Sequence, residues 1–213
     1  MKYQGSPAFT HNQQDKVGVL ITNLGTPDAP KKAALKRYLK EFLSDPRVVE
    51  IPRLLWWFIL NVGILNIRPQ RSAKAYSTVW TDRGSPLMFH TQDQTDALRA
   101  ALIKQYGDDI VVDFAMRYGS PSIDSVVDNM LQQGVRKLVV LPLYPQYCAS
   151  TSASTFDAIA QSFTKRRWIP ELRFVTQYHD NPQYIKAMAD KIQSHWHTHG
   201  RADKLVFSYH GIP

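Results

Sequence analysis

The residue best suited to chemistry is His210, near the carboxyl end of the chain. A short apolar run, Leu205 to Phe207, precedes it, followed by the polar pair Ser208 and Tyr209. Ligands of open α/β sheets bind beyond the carboxyl ends of the strands, so a histidine at such a position is a good candidate for catalysis. Because a free imidazole has a pKa of about 6.5, His210 can accept a proton at neutral pH. The pattern favours a general base over a hydrogen-bonded structural histidine.

Other reactive side chains have structural explanations that compete with a functional one. No Gly-x-Ser-x-Gly nucleophile elbow occurs, and Cys148 has no positioned base, so we interpret it as a small packed side chain. His179 beside Asp180 is typical of an oriented base, or equally of a turn that caps the next helix. Three histidines near the end of a predicted helix have metal-site spacing, but they also suit the helix dipole: His195, His197 and His199.

Several predicted strands end in aromatic, basic or amide side chains. These ends are Asn23-Leu24-Gly25, Arg117-Tyr118, Tyr144-Pro145-Gln146-Tyr147, Tyr178-His179-Asp180 and Tyr209-His210. Because the carboxyl ends of parallel strands meet at one edge of a sheet, these residues predict a single cleft lined by aromatic and basic groups.

The elements that would position these residues alternate along the chain. Apolar runs predict strands at 17–24, 110–116, 137–143, 171–178 and 205–209. Helical periodicity or capping residues predict helices at 31–43, 69–80, 150–166 and 182–199, between Pro121 and Gly134, and from a capping box formed by Thr91 and Gln94. The alternation predicts an α/β fold with a mainly parallel sheet flanked by helices. Neither Gly-x-Gly-x-x-Gly nor a Walker loop occurs, so the usual nucleotide signatures are absent.

Composition indicates the class of partner. The net charge of +8 favours an anionic partner such as an acidic membrane surface or a carboxylate-bearing ligand. The basic residues are scattered and no aromatic-basic motif occurs, so we expect no nucleic acid partner. A single cysteine excludes an internal disulfide and fits a reducing cytoplasm.

Two segments lie outside the regular alternation. Residues 1–16 are polar and contain no apolar stretch that could act as a signal peptide, so we expect a loose tail. Residues 54–67, LLWWFILNVGILNI, are strongly apolar but shorter than the roughly 20 residues that cross a bilayer. We call this segment the lip. It is either a core helix or a greasy border around an apolar ligand that also touches lipid.

The sequence resembles the ferrochelatase family in its proteobacterial form. The motifs that carry the resemblance occur in the family's order: Leu24-Gly25-Thr26-Pro27-Asp28, the LLWW lip, Gly84-Ser85-Pro86-Leu87, Met116-Arg117-Tyr118-Gly119, the segment Leu141 to Tyr147, and Ser208-Tyr209-His210-Gly211-Ile212-Pro213. They extend from residue 17 to the end of the chain. The resemblance implies insertion of Fe²⁺ into protoporphyrin IX to form protohaem, on two Rossmann-like, flavodoxin-like domains that face a cleft.

The resemblance also implies roles for individual residues. His210 matches the family's catalytic histidine, which accepts pyrrole protons and contacts the metal, and Leu24 faces the porphyrin from the other side. Arg117, Tyr118 and Tyr144 match cleft residues. The porphyrin propionates are expected at Arg68, Arg71, Tyr76 and Ser85.

No cofactor is implied beyond the substrate iron. Some members hold an iron–sulfur cluster through a cysteine near the Tyr-Pro-Gln-Tyr segment, but the matching position here is Ala149, with Cys148 one residue early. We therefore expect no cluster. The expected location is the cytoplasm, with peripheral membrane contact through residues 54–67.

Family members continue for more than a hundred further residues, which include an acidic residue opposite the histidine. We therefore expect a first domain at 17–145, including the lip, and only the opening of the second domain at 146–213. Two alternatives stay open: a truncated, non-catalytic porphyrin- or haem-binding remnant, and a related chelatase that inserts cobalt or nickel into another tetrapyrrole.

Overall fold

The structure is a computed structural model, and it describes residues 3–5 and 10–209. Its strands are β1 (Lys16–Thr26), β2 (Ile110–Gly119), β3 (Val135–Pro142) and β4 (Glu171–Phe174). Its α-helices are α1 (Lys32–Ser44), α2 (Arg53–Phe58), α3 (Leu65–Val79), α4 (Pro86–Tyr106), α5 (Ile123–Gln132), α6 (Ser154–Thr164) and α7 (Pro182–His199). There are two π-helical segments among the described residues. Ile59–Ile64 joins α2 to α3, and Ala149–Ala153 directly precedes α6.

The four strands form one parallel sheet in the order β2-β1-β3-β4. Every crossover between them contains helix, so the expected α/β fold with a parallel sheet flanked by helices is confirmed. The chain moves from β1 to one side of the sheet and later from β3 to the other. The crevice of such a sheet lies where this reversal occurs, at the carboxyl ends of β1 and β3.

Two apolar clusters anchor the sheet. In the first, α5 and α6 pack on the strands through fully buried side chains such as Val127, Met130 and Ile159, which meet Leu138 and Val140 of β3. The second joins α1 to the lip and to the end of β2: Tyr38, Leu39, Leu43, Trp56, Leu60, Leu65 and Tyr118. The lip therefore rests on α1, which also packs against the end of β2.

The ends of β1 and β2 approach each other very closely at Gly25. Its φ of 104° lies in the left-handed region, and a Cβ there would lie 1.8 Å from the carbonyl oxygen of Tyr118. Only glycine fits this position without moving a strand. The close approach sets Leu24 and Tyr118 at neighbouring strand ends.

Two local predictions were wrong. Thr91 and Gln94 do not begin α4, which starts at Pro86. Thr91 instead lies buried inside that helix, and its hydroxyl donates to the carbonyl of Leu87 (2.7 Å) and accepts from the Asn23 amide. A proline at the first helical position is a strong start signal, and it prevails here over the capping pattern.

The closing strand at 205–209 is also not formed. These residues form no ladder with a described strand, and Leu205, Val206, Phe207 and Tyr209 expose their side chains. A strand exists only through hydrogen bonds to a neighbour, so an apolar run alone does not produce one. The preceding predicted strand, 171–178, shortens to the four residues of β4.

The chain divides into two compact units, Met1–Gln177 and Tyr178–Pro213. The first contains the whole sheet and helices α1 to α6, and the second contains α7, which has no buried residue. The division expected from the family, after residue 145, stays a prediction. In the predicted tail, the amide of Gln4 donates to the carbonyl of Lys165 (2.8 Å).

Candidate functional site

In the first unit, three of the predicted cleft residues lie close enough together to affect one another electrostatically. Arg117 and Tyr118 end β2, and Tyr144 follows β3. Burial raises the pKa of Tyr144, and the Tyr118 hydroxyl and the Arg117 charge act on it in opposite directions with smaller effects. Leu24, at the end of β1, packs in part against the cluster that contains Tyr118.

A buried carboxylate that the sequence reasoning missed organises this neighbourhood. Asp45 follows α1, and its Oδ2 accepts hydrogen bonds from Arg117 Nη2 (2.5 Å), the Tyr118 hydroxyl (2.8 Å) and Ser154 Oγ (2.5 Å). Its Oδ1 accepts from the backbone amide of Arg47 (2.7 Å). We call Asp45, Arg117, Tyr118 and Ser154 the Asp45 cluster. It joins the chain entering the lip to the end of β2 and the start of α6.

Asp45 is ionised within this cluster. Burial alone would raise the pKa of its carboxyl group. Hydrogen bonds from Ser154 and Tyr118, the Arg47 amide and the charge of Arg117 outweigh that effect, so the pKa lies below its usual range. The cluster therefore holds an ion pair in which Asp45 and Arg117 expose only 4% and 16% of their side chains.

The cluster also determines what Tyr118 can contact. Its ring is fully buried, lies 4.4 Å below the Arg117 guanidinium and meets Phe42 edge to face at 5.1 Å. Burial is the main reason that its pKa is raised, so the hydroxyl stays protonated and donates to Asp45. The Tyr118 ring therefore packs against one face of the Arg117 guanidinium and is not exposed to solvent.

Two further tyrosines, Tyr38 and Tyr144, have strongly raised pKa values for the same reason, burial. The Tyr38 hydroxyl donates to the carbonyl of Gly25 (3.1 Å) and also interacts with Tyr76. The Tyr144 hydroxyl is buried and has no hydrogen-bond partner among the described residues. A buried hydroxyl without a hydrogen-bond partner costs free energy, in contrast to the paired hydroxyls of Tyr38 and Tyr118.

The lip has one buried and one exposed side. Trp56 is buried, and its indole nitrogen donates to the carbonyl of Leu43 (2.6 Å), while Leu60 and Leu65 pack beneath it. The exposed side carries large apolar side chains that form a patch on the surface: Leu54, Leu55, Trp57, Phe58, Ile59, Val62 and Ile67. The buried side agrees with the core-helix interpretation, and contact of the exposed side with a ligand or with lipid stays a prediction.

Cationic side chains border this patch. Arg68 and Arg71 lie exposed on α3, and neither forms an ion pair with a described residue. Tyr76, further along α3, is half-buried next to Tyr38. Ser85 is buried, and its hydroxyl accepts from Thr26 Oγ1 (2.9 Å), so it is already paired.

The sequence profile of the Ferrochelatase family matches residues 16–213. The chain belongs to the ferrochelatase family.

Individual relatives agree with this membership. Proteins named ferrochelatase from Idiomarina loihiensis, Pseudoalteromonas atlantica and Marinobacter nauticus are 71%, 68% and 60% identical to it over 213 residues. In each comparison the whole of this chain is aligned, but only 58%, 59% and 58% of the relative. The chain thus spans a little under three fifths of the length of these curated relatives.

The histidine that the ferrochelatase resemblance singles out, His210, lies outside the described residues. Its role stays a prediction. In the second unit, the rings of His195 and His199 stack 4.4 Å apart at the exposed end of α7, and His179 and Asp180 are exposed in the turn before it. Over residues 3–5 and 10–209, no group of three or more histidine, cysteine or acidic side chains is arranged to hold a metal ion.

The Cys148 sulfur is half-buried, 3.1 Å from Ser150 Oγ. Burial raises the pKa of this thiol, but hydrogen bonds from Ser150 and Thr151 lower it by more, leaving it below its ordinary value.

None of the helices in the described part of the chain combines the length and apolar character needed to cross a bilayer.

Proposed function

We propose that this chain is the amino-terminal part of a ferrochelatase that inserts Fe²⁺ into protoporphyrin IX to form protohaem, the terminal step of haem synthesis. The observation that carries the proposal is the family match over residues 16–213, supported by relatives of about 70% identity that bear this name. In the full-length protein the fold would comprise two Rossmann-like domains, of which residues 17–145 form the first and 146–213 begin the second.

The described surface suits such a substrate. A porphyrin is a large apolar disc with two carboxylates on one edge, so its site needs an apolar wall and cationic groups at one rim. The exposed side of the lip supplies apolar surface, and Arg68 and Arg71 on the adjoining helix are free to bind propionates. The net charge of +8 favours the approach of an anionic ligand.

The reaction itself requires proton removal. Each insertion of Fe²⁺ releases two pyrrole N–H protons as the four ring nitrogens bind the metal. His210 is the proposed acceptor, which would take the two protons one after the other and release each to solvent, and its neutral imidazole also suits contact with ferrous iron. Leu24 would face the ring from the opposite side. Arg117 and Tyr144 would line the cleft, with the buried Tyr118 packed under Arg117, and Tyr76 and Ser85 would lie near the propionates.

The alternatives predict different results from one titration. Protoporphyrin IX is added to the 213-residue chain and followed by absorbance and fluorescence, and Fe²⁺ is then added anaerobically. Saturable binding followed by the haem spectrum supports ferrochelatase activity in this chain, and binding without metal insertion supports the porphyrin-binding remnant. Insertion of Co²⁺ or Ni²⁺ in preference to Fe²⁺, with a more carboxylated tetrapyrrole, would favour the related chelatase.

A matched pair of variants tests the proposed base. In a full-length protein that carries this chain, His210→Ala is expected to reduce iron insertion at least about a hundredfold, the usual scale for loss of a general base. His195→Ala, on the exposed face of α7, is expected to leave the rate unchanged. Near-normal turnover of His210→Ala would overturn the proposed role.

We also propose that the lip touches the cytoplasmic face of the inner membrane. The supporting observation is the exposed apolar patch beside Arg68 and Arg71, since apolar groups flanked by cations favour an anionic lipid surface. Flotation with vesicles containing anionic phospholipid measures this contact. Leu54→Ser with Trp57→Ser should abolish flotation, and equal flotation of this double variant would contradict membrane contact through the lip.

A further inference from the structure

We propose that Asp45 is a positioning residue that fixes the guanidinium group of Arg117 for binding of an anionic porphyrin; this inference rests on the proposed function. Asp45 itself would not touch the substrate. Its side chain is almost entirely buried, and both of its carboxylate oxygens already accept hydrogen bonds from the protein.

Some N–H groups of the Arg117 guanidinium donate hydrogen bonds within the described chain, and others do not. Its Nε donates to the carbonyl oxygen (2.9 Å) and to the Oγ (2.6 Å) of Ser154, and its Nη2 donates to Asp45. Its Nη1 forms no hydrogen bond with the described residues and is not among their buried, unpaired polar atoms. A guanidinium held on two edges thus leaves one nitrogen accessible to an acceptor that the described chain does not supply.

The plane of this guanidinium is fixed as well as its edges. The Tyr118 ring lies 4.4 Å beneath it, and the Tyr118 hydroxyl is bound by the same Asp45 oxygen. Because Arg presents its donors in a rigid planar fork, holding the plane and two edges determines the direction of the remaining N–H groups. Preorganisation of this kind lowers the entropy lost when a carboxylate binds.

Only a carboxylate can satisfy all these donors. Oδ2 accepts from three side chains and Oδ1 from the amide of Arg47. An asparagine at position 45 has one oxygen and one NH₂ group, so either orientation places N–H groups against N–H or O–H donors. Asp45→Asn therefore preserves the shape of the side chain while releasing Arg117.

The backbone of Asp45 also shapes the segment that connects α1 to the lip. The amides of Val48 and Val49 donate to the Asp45 carbonyl (3.1 and 3.0 Å), which shapes the turn that leads towards α2. Arg53, the first residue of α2, donates to the carbonyl of Ser44. Asp45 thus holds Arg117 through its side chain and the turn towards α2 through its backbone carbonyl.

The test uses the 213-residue chain with two readouts. The first is the affinity for protoporphyrin IX and for its dimethyl ester, which lacks free carboxylates; the second is the ¹H–¹⁵N signal of Arg117 Nε. Asp157→Asn is the matched control, because it removes one negative charge and an exposed Asp–Arg pair with Arg47 without touching Arg117.

Asp45→Asn should weaken binding of the free acid by about tenfold, the scale of one charge-assisted hydrogen bond, while binding of the ester stays unchanged. Its Arg117 Nε signal should shift and exchange faster with water. Asp157→Asn should match the wild type in both readouts. A folded Asp45→Asn chain with an unaltered Nε signal, or with equal losses for the acid and the ester, would overturn the inference.

Ser154→Ala covers the case in which Asp45→Asn does not fold. It retains both charges and removes one contact from each, so the Nε signal should shift in the same direction and acid affinity should fall about threefold. An unaltered Nε signal in this variant would likewise overturn the inference. If the wild-type chain binds neither porphyrin, the proposed binding function fails for this chain, whereas the Nε signal still decides whether Asp45 positions Arg117.

Discussion

Asp45 lies shortly before the lip in the chain, but the Asp45 cluster and the exposed side of the lip are built in opposite ways. The cluster is polar, buried and fully hydrogen-bonded around Asp45, whereas the lip exposes leucine, tryptophan and phenylalanine side chains to solvent. The first arrangement stabilises one geometry, and the second keeps apolar surface available for another molecule. The difference separates a buried polar network from an apolar surface that packs against no other described part of the chain.

The largest effect is expected from breaking the cluster with Asp45→Ala. Arg117 would keep its buried position without a counter-charge, which typically costs about 4 kcal/mol of unfolding free energy. Denaturant unfolding measures the change, with Asp157→Ala as a surface control that should cost well under about 1 kcal/mol. Equal losses in the two variants would mean that the cluster contributes no more than a surface ion pair.

The two adjacent tryptophans provide the next comparison. Trp56 is 8% exposed and hydrogen-bonded, so Trp56→Ala should lower the unfolding free energy by about 3 kcal/mol. Trp57 is 56% exposed, so Trp57→Ala should change stability by less than about 1 kcal/mol. If the lip binds porphyrin or lipid, Trp57→Ala should nevertheless weaken that binding. A large stability loss at Trp57 would contradict its assignment to the exposed side.

A pair of hydroxyl deletions tests the cluster more finely. Tyr118→Phe removes a donor to the Asp45 carboxylate and should cost about 1–2 kcal/mol of unfolding free energy. Tyr144→Phe removes a buried hydroxyl that has no partner among the described residues, so it should be neutral or slightly stabilising. If Tyr144→Phe proves as costly as Tyr118→Phe, the Tyr144 hydroxyl has a partner in solution.

The smallest expected effect is a change in acid sensitivity. Because the pKa of Asp45 is lowered in the folded chain, its contribution to stability is complete above the unfolded carboxyl pKa of about 4. That contribution falls as the pH drops through the folded value, because the unfolded chain then binds more protons. Unfolding measured between about pH 2 and pH 6 should therefore show a shallower loss for Asp45→Asn than for the wild type. An identical slope would mean that Asp45 does not titrate between the two states.

Much of the architecture could be predicted from local pattern. The apolar runs near residues 17 and 137 became β1 and β3, and the periodic segment after Pro121 became α5. The closing strand failed because pairing depends on a neighbour, and the helix start at Thr91 failed because Pro86 gave a stronger signal five residues earlier.

The candidate site was predictable only in part. Arg117, Tyr118 and Tyr144 were found because strand ends in a parallel sheet share an edge. Asp45 was missed because the Ser-Asp-Pro sequence indicates a helix end, and nothing local reveals contacts to partners 72, 73 and 109 residues away. Long-range hydrogen bonds leave no periodicity in a sequence.

The π-helical segment Ile59–Ile64 makes the lip one residue longer than the packing beneath it requires. The buried positions run Trp56, Leu60, Leu65, Pro69 and Ala73, with a step of four residues everywhere except the step of five across this segment. Removing one residue there would give a continuous α-helix with the same buried side chains, now evenly spaced at four. The segment therefore has the form of a single-residue insertion accommodated on the solvent side, so the length of the lip can change without altering the core that supports it.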